Sequence, residues 1–406
     1  MCFQKILIGG IIFCISLLSI NTQAIPAFAR KTNIACSTCH SAWPMLNSFG
    51  RQYKEHGYRV GHLEAPNKTI SSALKWDEEL PVSVVMVARP YDKKDSGEFK
   101  NRALHEVELM IAGPMGEKMS GFFELEAEDE VVNDIGYATG IAFASLSYNH
   151  NEAVNLQFSW GSALGFDPYN SYSASRRMTR GTSSAIDNTF GGADNGGKIK
   201  SARQNISLYG RPISNLFYGL SLSGGAGDSE GEEGENLAFR LAYDMNPMIS
   251  IGVMHMSGTG NATSSDESLG IVGGVPAVIP ASSTPERDFT RTAFDVQAFI
   301  KGFNLNVVQV MANDDNSSAT RDVDNSAFYG QLLYTVKDGM RTTWAPLVRY
   351  DNYDKKGGDE TIAELTLGVN YYFTENVRGM LEYWDRTGDG TTKDDNRLTV
   401  QLYAAF

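Results

Sequence analysis

Thr361 to Phe373, TIAELTLGVNYYF, decides the fold. Ala363, Leu365, Leu367, Val369, Tyr371 and Phe373 share one face, while Glu364, Thr366, Gly368 and Asn370 share the other. Side chains repeating with period two are the mark of a strand, and an apolar face kept up over this length matches a strand crossing a bilayer. The end of the chain repeats the pattern. Leu398, Val400, Leu402, Ala404 and Phe406 lie on the apolar side, and Arg397, Thr399, Gln401 and Tyr403 on the other.

Working back from this stretch to about Glu79, similar segments recur, about sixteen in all, an even number inside the range of membrane barrels. Their connections alternate in length. Short ones include Gly113-Pro114-Met115-Gly116, Asn149-His150-Asn151, Asn246-Pro247, Lys301-Gly302, Lys337-Asp338-Gly339 and Thr374-Glu375-Asn376; long ones include 164–200, 259–287, 313–324 and 351–360. Short inner turns and long outer loops are the layout of an outer-membrane barrel, and a soluble sandwich gives no reason for that rhythm. The expected fold is therefore all-β, a transmembrane antiparallel barrel preceded by a short α-helical segment. Tyr371, Phe373, Tyr383 and Trp384 are candidates for its interfacial aromatic girdles, and a terminal Phe406 suits a barrel assembly signal.

Bulk composition agrees. The chain has 406 residues and a formal net charge of −13, the wrong sign for a nucleic-acid partner. Its mean hydropathy of −0.26 excludes a helical membrane protein but not a barrel, in which alternate residues avoid lipid. One long apolar run, Ile6 to Ile20 after Lys5, is followed by the small-residue site Thr22-Gln23-Ala24. This is the pattern of a secretory leader, and the run is shorter than the ~18 residues of a spanning helix. The predicted organisation is a signal peptide over 1–24, a cytochrome-like segment over 25–78 and a barrel over 79–406. Loss of the leader takes Cys2 and Cys14 and leaves Cys36 and Cys39.

Those two cysteines stand in Cys36-Ser37-Thr38-Cys39-His40, the C-x-x-C-H pattern of haem c attachment. Two thiols at this spacing reach both vinyl groups of one porphyrin, and the adjoining His supplies the proximal iron bond. Zinc needs two more ligands, and no second cysteine pair follows. A redox disulfide normally accompanies a βαβ pattern, which is absent. One covalent haem c on Cys36, Cys39 and His40 is the expectation. Pro44 to Gly57 reads as a helix presenting Leu46, Phe49, Tyr53 and His56 to the porphyrin, with Met45, His56 and His62 as candidates for the sixth iron position. The residues do not choose among them.

Within the barrel, Glu106, Glu108, Glu124 and Glu126 fall on the polar face with Arg89 and Arg102, a candidate cation path lined by hard oxygen ligands. Alternation puts Met86 and His105 outward. The long 164–200 connection, with Arg176, Arg177 and Arg180, could fold inward and narrow the pore or meet an anionic lipid head group, and neither reading outweighs ordinary surface charge.

Ala27-Phe28-Ala29-Arg30, Cys36 to His40, Pro44-Met45-Leu46-Asn47-Ser48-Phe49-Gly50-Arg51 and Gly57-Tyr58 together resemble the fused monohaem cytochrome–porins of the bacterial outer membrane. The specific motifs lie in residues 27–58, and the barrel matches in architecture. The resemblance implies an extracellular iron(II) oxidase: a ferrous donor outside, a periplasmic electron carrier such as a soluble cytochrome inside, and outer-membrane lipid around the barrel. It also demotes His56 as an iron ligand, because the residue before the Gly-Tyr pair is often not His in that family. Two other readings stand beside it: a transport channel with a haem plug or sensor, and a conduit for a different electron donor.

Overall fold

A computed structural model describes residues 26–32, 34–60, 68–69, 75–76, 81–129, 136–172, 178–187, 197–227, 230, 235–260, 263–265, 268–272, 275–279, 282–284, 287–315, 323–355, 359–389 and 392–406. Sixteen strands close into one antiparallel barrel, each paired with its sequence neighbours. They are β1 (Val82–Lys94), β2 (Phe99–Pro114), β3 (Met119–Glu128), β4 (Ala138–Asn149), β5 (Asn155–Gly161), β6 (Arg203–Ile213), β7 (Leu216–Ser223) and β8 (Asn236–Asn246). The second half comprises β9 (Ile249–Gly260), β10 (Arg287–Ile300), β11 (Phe303–Asp314), β12 (Val323–Tyr334, prolonged by Val336–Asp338), β13 (Arg341–Lys355), β14 (Glu360–Tyr372), β15 (Val377–Gly388) and β16 (Asp395–Ala405). Closure is made by β16 on β1, and Phe406 and Val84 exchange both backbone hydrogen bonds, at 2.8 and 3.0 Å. A closed sheet leaves no unpaired edge in lipid, where each bare amide would cost several kcal/mol.

The alternation read from the sequence is the alternation observed. Leu365, Leu367, Leu398, Val400 and Leu402 face outward, whereas Thr366, Asn370, Thr399 and Gln401 are sealed inside. Trp344, Tyr371 and Phe373 cluster at the inner rim, with ring centroids 4.4 and 4.8 Å apart, and Phe303 and Tyr334 add a pair at 4.7 Å. Trp384 is a correction. It follows Tyr383 directly, only one of the two can face lipid, and Trp384 is the inner one, beneath Arg386 and Arg397.

Two outer connections differ from the expected rhythm. β1 and β2 are joined by a tight 95–98 hairpin, and much of 351–360 is strand, because β13 and β14 run on beyond the bilayer. Likewise 259–287 contains small ladders of its own, Thr263–Ser265 with Ser282–Thr284 and Ser268–Val272 with Val275–Ile279.

The larger departure is the connection between β5 and β6. It folds into the lumen instead of standing outside as a charged surface loop. Leu164, Phe166, Tyr169, Tyr172, Met178, Ala185, Ile186 and Ile199 are all buried there. Phe166 seats on β7 at Gly219, where any Cβ would fall on its ring, so the wall is shaped to receive the loop. Arg180 pairs with Asp92 of β1 at 2.9 Å, and its backbone amide donates to Glu382 of β15 at 2.6 Å. Arg176 and Arg177 lie outside the described residues.

Candidate functional site

Residues 26–60 form a second filling of the lumen, at the inner end of the barrel. Three helices, α1 (Pro26–Thr32), α2 (Cys36–Cys39) and α3 (Ser48–Glu55), are linked by a small ladder of His40–Ala42 with Met45–Leu46. The helix expected over Pro44 to Gly57 begins later than predicted. Asn47 is its N-cap, accepting from Gly50 N at 3.0 Å, so Met45 and Leu46 stay extended. It ends as expected at Gly57, with φ of 64°. Its side chains buried by the barrel are Arg51, Tyr53 and Glu55; of the set Leu46, Phe49, Tyr53 and His56 expected to face a porphyrin, Tyr53 is buried by protein and Phe49 is exposed. A helix lying inside a polar barrel buries its charged side when each charge meets a partner on the wall.

Those partners ring the barrel. Arg30 donates to Val82 O of β1 at 2.9 Å, and Arg59 to Gly116 O in the β2–β3 turn at 2.9 Å. Glu55 receives two bonds from Arg211 of β6, at 2.6 and 2.8 Å. Arg51 reaches Gln297 of β10, Asn304 of β11 donates to Ser41 Oγ, and Thr342 of β13 donates to Ser41 O. Tyr372 and Arg378, of β14 and β15, both donate to Trp43 O, at 2.8 and 3.2 Å. The segment therefore spans the mouth. It also meets the inward loop: Lys54 Nζ lies 2.9 Å from Asp167 O and 3.1 Å from Asn170 Oδ1, and Arg51 stacks 4.6 Å above Tyr169. Burial pushes Lys54 down to about 8, against the pull of Asp167 and Glu55. A docked lysine with a lowered pKa binds its proton less readily than an undocked one. Docking of α3 is accordingly expected to strengthen as pH rises from about 8 to 10.5 and to be flat below that window. Hydrogen exchange across α3 checks this, and Lys54→Met should remove the dependence.

Cys36 and Cys39 stand at the two ends of α2, not joined in a disulfide, with His40 following on the ladder. Glu375, in the turn between β14 and β15, clamps the start of α2: its carboxylate accepts from Cys36 N at 3.0 Å and from Ser37 Oγ at 3.5 Å. His40 Nδ1 donates to Pro44 O at 3.1 Å, which leaves Nε2 as the nitrogen that could take a metal. Burial pushes its imidazole down to about 4, so it is neutral at physiological pH, and raises the Cys39 thiol to about 11. Beside them a cleft of about 260 Å³ is lined by Cys36, His40, Trp43, Arg341, Tyr372 and Glu375. Two unbridged thiols, a neutral imidazole with its far nitrogen fixed, and a cleft at their side fit a covalently attached haem. The cleft is open to solvent on one side, so the thioether tethers would do much of the work of holding the ring.

The other candidates for the sixth iron position are dispersed. Met45 is fully buried against Ala42, Met178, Leu333 and Tyr372. His56 lines a different cleft, with Arg59, Glu117, Asn149 and Asn155, at the β2–β3 and β4–β5 turns. His62 lies outside the described residues. Of the acidic set, Glu106, Glu108 and Glu126 bring carboxylate oxygens within 4.8 Å of one another, and Glu124 is not in that group. It stands opposite Met110. His105 is a second correction: it is buried, not outward, for a reason developed below.

Glu375, Arg341 and Tyr372 were not legible as site residues. In sequence they belong to tight inner turns and strand ends, and only closure of the barrel carries them to Cys36. Gly50 was visible only as part of a motif. A Cβ there would fall on the carbonyl of Cys39, so α3 packs on α2 through a hydrogen atom. Gly50→Ala is expected to force α2 and α3 apart and to lower haem occupancy severalfold in a host that attaches haem c, measured by haem absorbance per polypeptide.

The barrel's relatives are now relevant. The family model of phosphate-selective porin O and P matches residues 226–406. No curated protein matches the chain. Among solved structures, an anion-selective porin from Comamonas acidovorans superposes with a TM-score of 0.58 at 14% identity, over 81% of this chain and 99% of that one. OmpT of Vibrio cholerae gives 0.56 at 12%, over 84% and 100%. The outer-membrane channel DcaP of Acinetobacter baumannii gives 0.52 at 11%, over 84% and 100%. At such identities the fold is what is shared. With its closed, lipid-facing wall, the chain is an outer-membrane β-barrel of porin architecture.

Proposed function

We propose that this barrel works as an outer-membrane electron-transfer protein: one haem c on Cys36, Cys39 and His40 takes electrons from ferrous iron supplied from outside and passes them to a periplasmic carrier. The observation that supports this most is the pairing of an attachment site at the inner mouth with a filled lumen. In an open porin the inward arginines would be wet. Here Arg203, Arg240, Arg291 and Arg378 are essentially unexposed, closed over by the inward loop and the 26–60 segment. Such a barrel is better suited to holding a redox group across the envelope than to passing solutes.

When bound, haem supplies a one-electron iron couple: each Fe(II) becomes Fe(III), and the electron leaves to the carrier. The protein's own residues do the rest. Cys36 and Cys39 tether, and His40, oriented by Pro44 O, presents Nε2 to the metal. Glu375, Tyr372 and Arg378 fix the segment to the wall, and the apolar contacts of Met45 with Met178 and Leu333 keep water from its inner side. Axial ligation, burial and neighbouring charge are the levers by which a protein tunes such a couple.

A second reading, a transport channel with the 26–60 segment as its plug, is favoured by the family match over residues 226–406. Against an anion path, Arg211, Arg240, Arg291 and Arg349 are each answered by a carboxylate within 2.9 Å. Anaerobic stopped-flow mixing of ferrous iron with the oxidised, purified protein separates the two. Rapid change of the haem bands, lost in His40→Ala with the barrel intact, supports electron transfer. Unchanged bands together with solute flux through reconstituted vesicles establish the channel and overturn the proposal. A panel of other reductants in the same mixing experiment identifies the donor.

A further inference from the structure

On the wall formed by β2 and β3, near their outer ends, strict alternation breaks. Between Val87 and Arg89 of β1 the facing stretch of β2 runs from Arg102 to Glu106, so β2 carries two extra residues there. Bulges of this kind re-aim side chains. As a result His105 and Glu106, neighbours in the chain, are both buried, at 5% and 2% exposure. His105 Nδ1 lies 2.5 Å from Asp129 Oδ1, just beyond β3. Arg102 Nη1, which can only donate, also lies 3.2 Å from Nδ1; the shorter contact, to a carboxylate oxygen that accepts, favours the proton on Nδ1. Nε2 then points at Glu106 Oε2, 3.9 Å away and beyond hydrogen-bond reach, and makes no hydrogen bond among the described residues. A ring nitrogen of His105 and oxygens of Glu106 and Glu128 all lie within 4.8 Å of one another, and Glu106, Glu108 and Glu126 form the adjoining trio.

The register sharpens the point. Glu106 stands directly opposite Glu128, and Glu108 opposite Glu126. Like charges placed so on a sheet repel. Arg89, which donates to Gln401, also supplies opposite charge to Glu106, and Arg102 pairs with Asp129 at 3.3 Å. A carboxylate behind the far nitrogen of a buried imidazole, with further carboxylates before the near one, is the arrangement that orients histidine toward a metal. Bonds of about 2.0–2.2 Å put adjacent ligand atoms about 3 Å apart, within reach by small side-chain rotations.

We infer that His105, Glu106 and Glu128, continued by Glu108 and Glu126, form a binding site for a divalent first-row transition ion at the outer end of the barrel. Imidazole combined with carboxylates selects Fe(II), Mn(II) or Zn(II) over Mg(II) and Ca(II). The site stands on its own geometry; read with the proposed function, which it then deepens, it is where the ferrous donor first lands. Asp129 is a positioning residue, since it acts through His105.

The test is a Mn(II) titration of the full-length protein in detergent, followed by loss of the free-ion signal in electron paramagnetic resonance. Saturable binding is expected, displaced by Zn(II) and not by equal Mg(II). It should be abolished in the Glu106→Gln/Glu128→Gln double variant and weakened about 10–100-fold in Asp129→Asn, the usual effect of removing a ligand's orienting partner. Binding in the unmodified protein no tighter than in the double variant overturns the inference. So does tight binding indifferent to both changes, or a folded His105→Gln that retains full affinity. Barrel folding is read from mobility on unheated gels, and if the double variant fails there, the two single changes decide. Haem content is measured separately on the same samples. Absent haem with intact Mn(II) binding sinks only the electron-transfer reading, and the reverse result sinks only the site.

Discussion

Protein made in a host able to attach haem c will carry one haem per chain, and the Cys36→Ala/Cys39→Ala double variant will carry none while its barrel still folds. The expected effect is all or nothing, because the cleft beside α2 is open to solvent and the thioether links are what would keep the ring on the chain. Folding should survive, since the barrel closes through β16 and β1 and Phe406, none of which involves α2. His40→Ala is predicted to behave differently. Both tethers remain, so the mass of the haem stays, but the iron loses its proximal nitrogen and the visible spectrum shifts. Mass spectrometry for the first pair and absorbance for the second separate attachment from ligation. A folded, unmodified chain with no added haem mass in such a host would leave the proposed function without its redox group.

How much of this was readable in the sequence follows from which physical signals are local. Strand alternation is local, so β14 and β16 could be assigned face by face, as Leu365, Leu367 and Thr366 show. So is C-x-x-C-H, whose spacing lies within one turn of helix. What failed was what depends on closure. The 162–202 connection looks like any charged loop until β8, β10 and β13 surround it. Then Tyr172 and Ser171 find Asp295, at 2.9 and 2.7 Å, and Arg349 finds Thr179 at 2.6 Å. His105 was misplaced because a parity argument assumes no bulge, and the bulge is visible only in the register of β1 against β2. Apolar spacing says nothing of Arg51 and Glu55, which turn inward beside Tyr53 because the barrel wall supplies their partners.

Arg240 is the residue on which closure of the lumen turns. It projects from β8, is completely buried, and lies 2.6 Å from Asp295 of β10 and 3.4 Å from Asp167 of the inward loop. Its guanidinium also covers the rings of Tyr172 and Tyr169, at 5.1 and 5.6 Å. Arg240→Met keeps much of the bulk but leaves two carboxylates buried without their cation. Breaking a buried pair in this way costs about 3–5 kcal/mol. The barrel ladder is held by its own backbone pairing, whereas the loop can leave the wall and hydrate Asp167, so the cost falls on loop closure. At about 1.4 kcal/mol per tenfold, the open population should rise by about two to three and a half orders of magnitude. In planar bilayers the unmodified protein is expected to be nearly silent and Arg240→Met to show frequent porin-like openings. Adding Asp167→Asn and Asp295→Asn to Arg240→Met should restore much of the closure, because neutral amides bear burial without a cation. If Arg240→Met stays as silent as the parent, the ion pairs do not hold the loop, and the 26–60 segment alone seals the barrel.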